Sequence, residues 1–361
     1  MVITPATTVA DLGERAVIDR IAASARIEAG FVSVGLGDDA AVIEPARNLA
    51  DVVTTDSLVE GIHFDRAYVP AAAIGHKALA VNLSDLAAMG AEPRAALLSL
   101  VLPGAMRVAD FDEMIGAFAA LADRFGVALV GGNVARSPGP LVLDVTAIGS
   151  VKPRRAMLRR GAGPGDGIYV SGQVGAACAG FLACRAGADS AGAAAAAGAA
   201  GAASAAGATG VAISPDMSAC AERFLRPDPR VRLGLLLGRN RVASACVDLS
   251  DGLSDGVRRI AAASGVGAEI DGEAVPVPAE ARRWFERVEG RDALAAAMSG
   301  GEDYELLFTV PARRRRALES IARLAGGVPC TRIGTVTADR RLVVVRQGAR
   351  APISEGYAHF R

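Results

Sequence analysis

Asp38, Asp39, Asp56 and Asp85 fall within residues 35–89, inside the otherwise apolar runs GLGDDAAVI, VVTTDSLVEGIHFD and HKALAVNLSDLAAMG. An ionised carboxylate taken out of water without a partner is so costly that such groups pair, neutralise or bind a cation. No run of Lys or Arg lies nearby to pair with them. Of these outcomes, a divalent cation reaching the acids is the one the sequence favours. Hard oxygen donors from several loops suit Mg2+, which keeps part of its water and binds through carboxylates together with a substrate's phosphates. The pattern points to a nucleotide site assembled on aspartates.

With 361 residues, the chain has room for two α/β domains, since single cores stop growing at about 250–300 residues. Lys plus Arg and Asp plus Glu both total 39. This zero net charge offers no electrostatic hold on nucleic acid or anionic lipid and favours a small-molecule substrate. No stretch supplies the ~20 strongly apolar residues of a membrane span. The N-terminus MVITPATTVADLGERAVIDRIA lacks the basic and apolar regions of an export signal,. The five cysteines contain no C-x-x-C pair, which argues against a disulfide framework or a zinc site. A cytoplasmic protein with reduced thiols, no nucleic acid and no membrane is the expectation.

Helical spacing predicts helices over 12–25, 71–89 and 108–125, the last through Phe111, Met114, Ile115, Phe118 and Leu121,. AAVIE and DVVTT read as short strands, placing Asp38 and Asp39 in the turn before one and Thr54, Thr55 and Asp56 at the end of the next,. Asn82 and Asp85 share a side of the 71–89 helix. His63 in GIHF reads, on spacing alone, as a hydrogen-bonded structural histidine,. VALVGGNVARS reads as strand, glycine turn and exposed Asn133, and LVLDVTAIGSV closes a first domain, an α+β mixture over residues 1–150,.

The second domain is expected over 151–361. It begins with the basic, glycine-rich KPRRAMLRRGAGPGDG, whose glycines precede the strand IYVSG. A dinucleotide fingerprint needs them between strand and helix, so that reading fails, and no P-loop sequence exists in the chain,. Residues of about 186–212 form an Ala/Gly-rich insertion, either a frayed helix or a flexible excursion,. ACVDLSDGLSDG places Asp248, Ser250 and Asp251 at a strand-to-helix junction, an arrangement suited to metal and phosphate,. SGGEDYELLFTV sets Glu302 and Asp303 in a turn before a strand, and IGTVTADRRLVVVRQG reads as a hairpin. The terminal EGYAHFR carries aromatics that pack or close as a flap.

In this order, GLGDDAAVI, TTDSLVEGIHF, KALAVNLSDLAAMGAEP, VGGNVARS, DLSDGLSD, SGGEDYELLF and GYAHF resemble the thiamine-monophosphate kinase family of the aminoimidazole ribonucleotide synthetase superfamily. The resemblance implies a two-domain fold whose N-terminal mixed sheet pairs across a homodimer into a barrel. It implies phosphorylation of thiamine monophosphate by ATP with several Mg2+ ions, and no catalytic side chain beyond positioning and metal. By motif position it assigns Asp39, Thr54, Thr55, Asp56, Asp85, Asn133, Asp248 and Asp251 to metal. Gly132, Asn133, Arg159 and Ser250 fall to ATP, and His63, Glu302 and Tyr357 to thiamine phosphate. Asn133 departs from an aspartate common at that position. An altered-substrate or non-catalytic nucleotide-binding relative is the alternative.

Overall fold

The computed structural model describes residues 3–25, 29–196 and 213–354. Tyr357 and the insertion beyond Ala196 lie outside them. Two compact units form. Of the described residues, the first holds those up to Leu86 and Glu92–Pro153; the second holds Ala87–Ala91, 154–196 and 213–354.

In the first unit, the expected helix over 12–25 is divided at Gly13 (φ 78°) into α1 (Val9–Leu12) and α2 (Glu14–Ser24). A left-handed φ favours glycine, so the break falls where no side chain resists it. The ribbon β1 (Val32–Val34) and β2 (Val42–Ile43) precedes β3 (Ala50–Val59). There follow α3 (Ala71–Ala88), β4 (Glu92–Pro103), α4 (Val108–Phe125), β5 (Ala128–Ser137) and β6 (Val142–Val151). The sheet order is β3-β6-β4-β5, with β6 antiparallel to both neighbours and β4 parallel to β5 across the α4 crossover. The apolar stripe of α4 is buried, and Gly126 in the left-handed region ends that helix,. From Lys77 to Ala88, Asp85 is the one residue of α3 that is not buried. Gly75 lets α3 meet α4 closely: a Cβ there would lie 1.8 Å from the Met114 carbonyl oxygen.

Two expectations are corrected here. Thr54, Thr55 and Asp56 lie in the middle of β3, because pairing with β6 carries the strand on to Val59. The GGN segment is no turn either: it runs through β5, with a register irregularity opposite Ala96 and Leu97. Gly132 is needed because a Cβ would lie 1.9 Å from the Leu98 carbonyl oxygen of β4.

The second unit runs β7 (Gly167–Ser171), α5 (Ala176–Ala196), α6 (Ser218–Leu225), α7 (Val231–Arg239), β8 (Ala245–Asp248), α8 (Leu253–Ser264) and β9 (Gly267–Asp271). It continues α9 (Ala279–Arg287), α10 (Ala293–Ser299), β10 (Leu306–Val310), α11 (Arg315–Leu324), β11 (Cys330–Thr337), β12 (Leu342–Arg346) and β13 (Ala349–Pro352). Its seven-stranded sheet has the order β13-β12-β9-β11-β7-β10-β8. One face packs Ile168, Val170, Val247, Ile270 and Leu307 with the helices that supply Val257 and Phe285. On the other face Tyr169 stacks on Phe308, 5.9 Å between ring centroids. The expected hairpin of β11 with β12 does not form, because β9 lies between them, antiparallel to β11 and parallel to β12. The hairpin that does form is β12–β13, turning at Gln347 and Gly348, both at positive φ, the two-residue geometry that suits strand twist. Among the described residues no helix is long and apolar enough to cross a membrane.

Candidate functional site

In the first unit the strand pleat sorts the expected residues. Successive side chains of β3 alternate between faces, so Thr54 and Asp56 share one face while Thr55 and Ser57 share the other. Thr54 Oγ1 donates to Asp85 Oδ2 of α3, uniting two of the acidic segments. On the opposite face, Thr55 Oγ1 donates to Asp144 Oδ1 at 3.2 Å and Ser57 Oγ to Asp144 Oδ2 at 2.5 Å. Strand register places Asn133, Ser99, Asp144 and Ser57 in one row across the sheet. Asn133 is thus aligned with Asp144, on the Thr55 face rather than that of Thr54 and Asp56. Asp144 escaped the sequence reading because LVLDVTAIGSV alternates as a plain strand; its position inside that strand was the available signal.

Asp38 and Asp39 occupy the exposed turn between β1 and β2, and the Asp39 amide donates to Asp38 Oδ1 at 2.8 Å. These two acids are solvated rather than buried. His63 is half-buried and its Nδ1 accepts from the Val59 amide at 3.0 Å. That bond leaves the proton of a neutral ring on Nε2.

In the second unit the two acidic loops are joined. The Leu249 amide donates to the Glu305 carbonyl at 2.8 Å, the Tyr304 amide to the Leu249 carbonyl at 3.0 Å, and the Glu302 amide to the Ser250 carbonyl at 2.7 Å. A Cβ at Gly301 would lie 2.4 Å from the Ser250 carbonyl oxygen, so the close approach of the loops requires glycine. Asp248 is buried at the end of β8, while Ser250, Asp251 and Glu302 are half-buried. Asp251 pairs with Arg259 Nη2 at 2.5 Å, and Asp255 holds the same guanidinium at Nε. Arg159 is exposed; its carbonyl accepts from Ser264 Oγ at 3.3 Å, and that hydroxyl also receives the Gly161 and Ala162 amides.

Beneath these loops lies a buried polar group of which sequence reasoning noted only Asp303. Glu305 accepts from Arg230 Nε at 2.7 Å and Nη2 at 2.5 Å, from Arg223 Nη2 at 2.6 Å, and from Ser171 Oγ at 2.5 Å. Asp303 accepts from the Gly175 and Ala177 amides at 2.7 and 3.1 Å. Burial pushes its carboxyl up to about 7, against the opposing pull of those two amides,. Among the described residues, no group of three or more His, Cys, Asp and Glu side chains gathers as a metal site.

Residues 37–151 match the AIR synthase related protein, N-terminal domain, and residues 163–347 the AIR synthase related protein, C-terminal domain. Thiamine-monophosphate kinase of Salmonella typhimurium (strain LT2) is 39% identical over 356 residues, 96% of this chain and 98% of that protein. The Bacillus subtilis (strain 168) thiamine-monophosphate kinase is 31% identical over 91% of this chain and 94% of its own. The crystal structure of thiamine-monophosphate kinase from Stenotrophomonas maltophilia K279a aligns with TM-score 0.78 and 39% identity, covering 93% of this chain and 96% of that one. AaThiL complexed with AMPPCP and TMP aligns with TM-score 0.70 and 30% identity, covering 97% of this chain and 98% of that one. Spanning almost the whole length of these relatives and matching both domains in order, the chain belongs to the thiamine-monophosphate kinases of the AIR synthase related family.

Proposed function

We propose that the chain transfers the γ-phosphoryl group of ATP to the phosphate of thiamine monophosphate, releasing ADP and thiamine diphosphate. The observation that carries this reading is the alignment over 97% of the chain with AaThiL complexed with AMPPCP and TMP. Mg2+ is the metal it implies. Several ions are implied rather than one: Asp39, then Thr54, Asp56 and Asp85 on one face of the first unit's sheet, Thr55 and Asn133 on the other, and Asp248 and Asp251 in the second unit would hold them, oxygen donors that fit a hard cation,. When bound, they neutralise phosphate charge. Arg159, Ser250 and the Gly132–Asn133 segment would contact ATP. His63, Glu302 and Tyr357 would hold thiamine phosphate, the His63 ring being oriented by the Val59 amide at its Nδ1. Glu302 offers a carboxylate to the cationic heterocycle.

No side chain serves as nucleophile. An oxygen of the acceptor phosphate attacks the γ-phosphorus in line as the bond to the ADP oxygen breaks, so the protein's tasks are alignment and charge neutralisation. The same reading takes domains over 1–150 and 151–361, a cytoplasmic location and a homodimer closed through the N-terminal sheets. The edge position of the ten-residue β3, with Val53 62% exposed, supports that pairing.

A coupled ADP-release assay with thiamine monophosphate, thiamine and other phosphate acceptors, run with Mg2+ and with chelator, tests the proposal. Release that needs both thiamine monophosphate and Mg2+ is the expected result. Release independent of acceptor identity would refute it, and no turnover at saturating Mg2+ would favour the non-catalytic relative.

A further inference from the structure

Glu302 does not sit in a relaxed turn. Its φ is 72° and that of Tyr304 is 48°, left-handed values that residues with a Cβ keep only where the surrounding structure over-determines them. Two kinds of restraint act on this stretch. Its backbone is tied on one side to the Asp248–Gly252 loop, through the bonds from the Glu302 amide to the Ser250 carbonyl and from the Tyr304 amide to the Leu249 carbonyl. Its middle residue, Asp303, is 1% exposed and reaches the other way, to the amides of Gly175 and Ala177 at the start of α5.

The second restraint is chemically specific. A carboxylate presents acceptors on both oxygens, so each can take one amide. A carboxamide of the same shape has one accepting oxygen, and its NH2 would face the other amide donor to donor. Simple filling of the space would not call for an acid, since burial alone disfavours the ionised form. Asp303 stands directly between the two left-handed residues. If it lets go of α5, the peptide units on both sides can relax to negative φ, and the Glu302 side chain leaves its place.

We propose that Asp303 is a positioning residue: by binding the first amides of α5 it holds Glu302 in the left-handed conformation that presents its carboxylate to the substrate. The inference rests on the assignment of Glu302 to thiamine monophosphate made above. It adds α5 to the parts that shape the substrate site, through a residue that does not itself touch substrate.

Steady-state kinetics on the full chain, varying thiamine monophosphate and ATP separately, give the test, with thermal melting of each variant alongside. Asp303→Asn should raise the KM for thiamine monophosphate about tenfold, the loss of a hydrogen bond to a charged group, while the KM for ATP stays within about twofold. Glu302→Gln should raise the same constant. The double variant should be no worse than Glu302→Gln alone, because Asp303 acts only through Glu302. Ala177→Pro removes one of the two amide donors within the first turn of α5, where that amide has no intrahelical bond to lose,. It should reproduce the shift, and it supplies the test if Asp303→Asn does not fold. Wild-type KM values in Asp303→Asn or Ala177→Pro, with Glu302→Gln impaired, would overturn the positioning role alone. A Glu302→Gln enzyme with an unchanged KM for thiamine monophosphate would overturn the Glu302 assignment and the positioning role together. Equal loss toward both substrates in step with a lowered melting point would reduce Asp303 to a stabilising residue and overturn the proposal.

Discussion

Replacing Arg230 by Met should cost the second unit about 3 kcal/mol, the low end for breaking a buried ion pair. The Glu305 side chain is 1% exposed and that of Arg230 13%. Arg230 supplies two of the four side-chain donors that reach Glu305; Arg223 and Ser171 supply the others. With these two remaining, the carboxylate is weakened rather than abandoned, which is why the low end applies. Glu305→Met should cost a similar amount, about 3 kcal/mol, because it leaves two guanidiniums facing each other; Asp228 at 2.9 Å still partners Arg230. Removing both charges in Arg230→Met with Glu305→Met should cost no more than either single change, giving a coupling of about 3 kcal/mol. Urea unfolding followed by tryptophan fluorescence is the assay. The chain has one tryptophan, Trp284 in α9, so the signal reports the second unit. Single changes below about 1 kcal/mol, or a double change equal to their sum, would refute the reasoning, because either result means that desolvation cancels the pair.

Gly75→Ala should lower the melting temperature of the first unit, since the new Cβ lies 1.8 Å from the Met114 carbonyl and α3 must move off α4; the cost of such overpacking is about 1–3 kcal/mol. An unchanged melting curve would show that the helices separate freely. Asp292 caps α10 by accepting the Ala295 amide at 2.9 Å, and Asp292→Ala should cost about 1 kcal/mol near neutral pH. That amide holds the carboxyl below its ordinary value of 3.8. Its contribution is therefore present above 3.8 and lost as the pH falls through the lowered folded value, so the stability gap between wild type and Asp292→Ala should close in acid. Asn133→Asp should lower the Mg2+ concentration for half-maximal rate, because a charged carboxylate replaces a neutral carbonyl oxygen; an unchanged or higher requirement in Mg2+ titrations would reject Asn133 as a ligand.

Local chemistry made much of the fold legible in the sequence. The spacing of Phe111, Met114, Ile115, Phe118 and Leu121 is that of α4, whose apolar stripe is buried. The near-continuous apolar run of α3 matches a helix that is buried from Lys77 to Ala88 except at Asp85. The motif order carried the family, since short runs such as DLSDG and GGEDYE keep their chemistry whatever surrounds them. These are signals within a few residues, where periodicity and turn chemistry act directly.

What only the tertiary structure decided depends on partners far apart in the chain. IGTVTADRRLVVVRQG has every local mark of a hairpin, yet β9, about 60 residues earlier, takes the place between β11 and β12, because burying a central strand on both edges satisfies more backbone than an isolated pair does. Thr54, Thr55 and Asp56 read as one motif, and pairing with β6 along the whole strand sends Thr55 to the opposite face. Asp303 finds its amides 128 and 126 residues away, and Glu305 its arginine Arg230 at 75. No spacing rule encodes such meetings: sequence separates residues that need each other for charge balance, and packing alone returns them to one another.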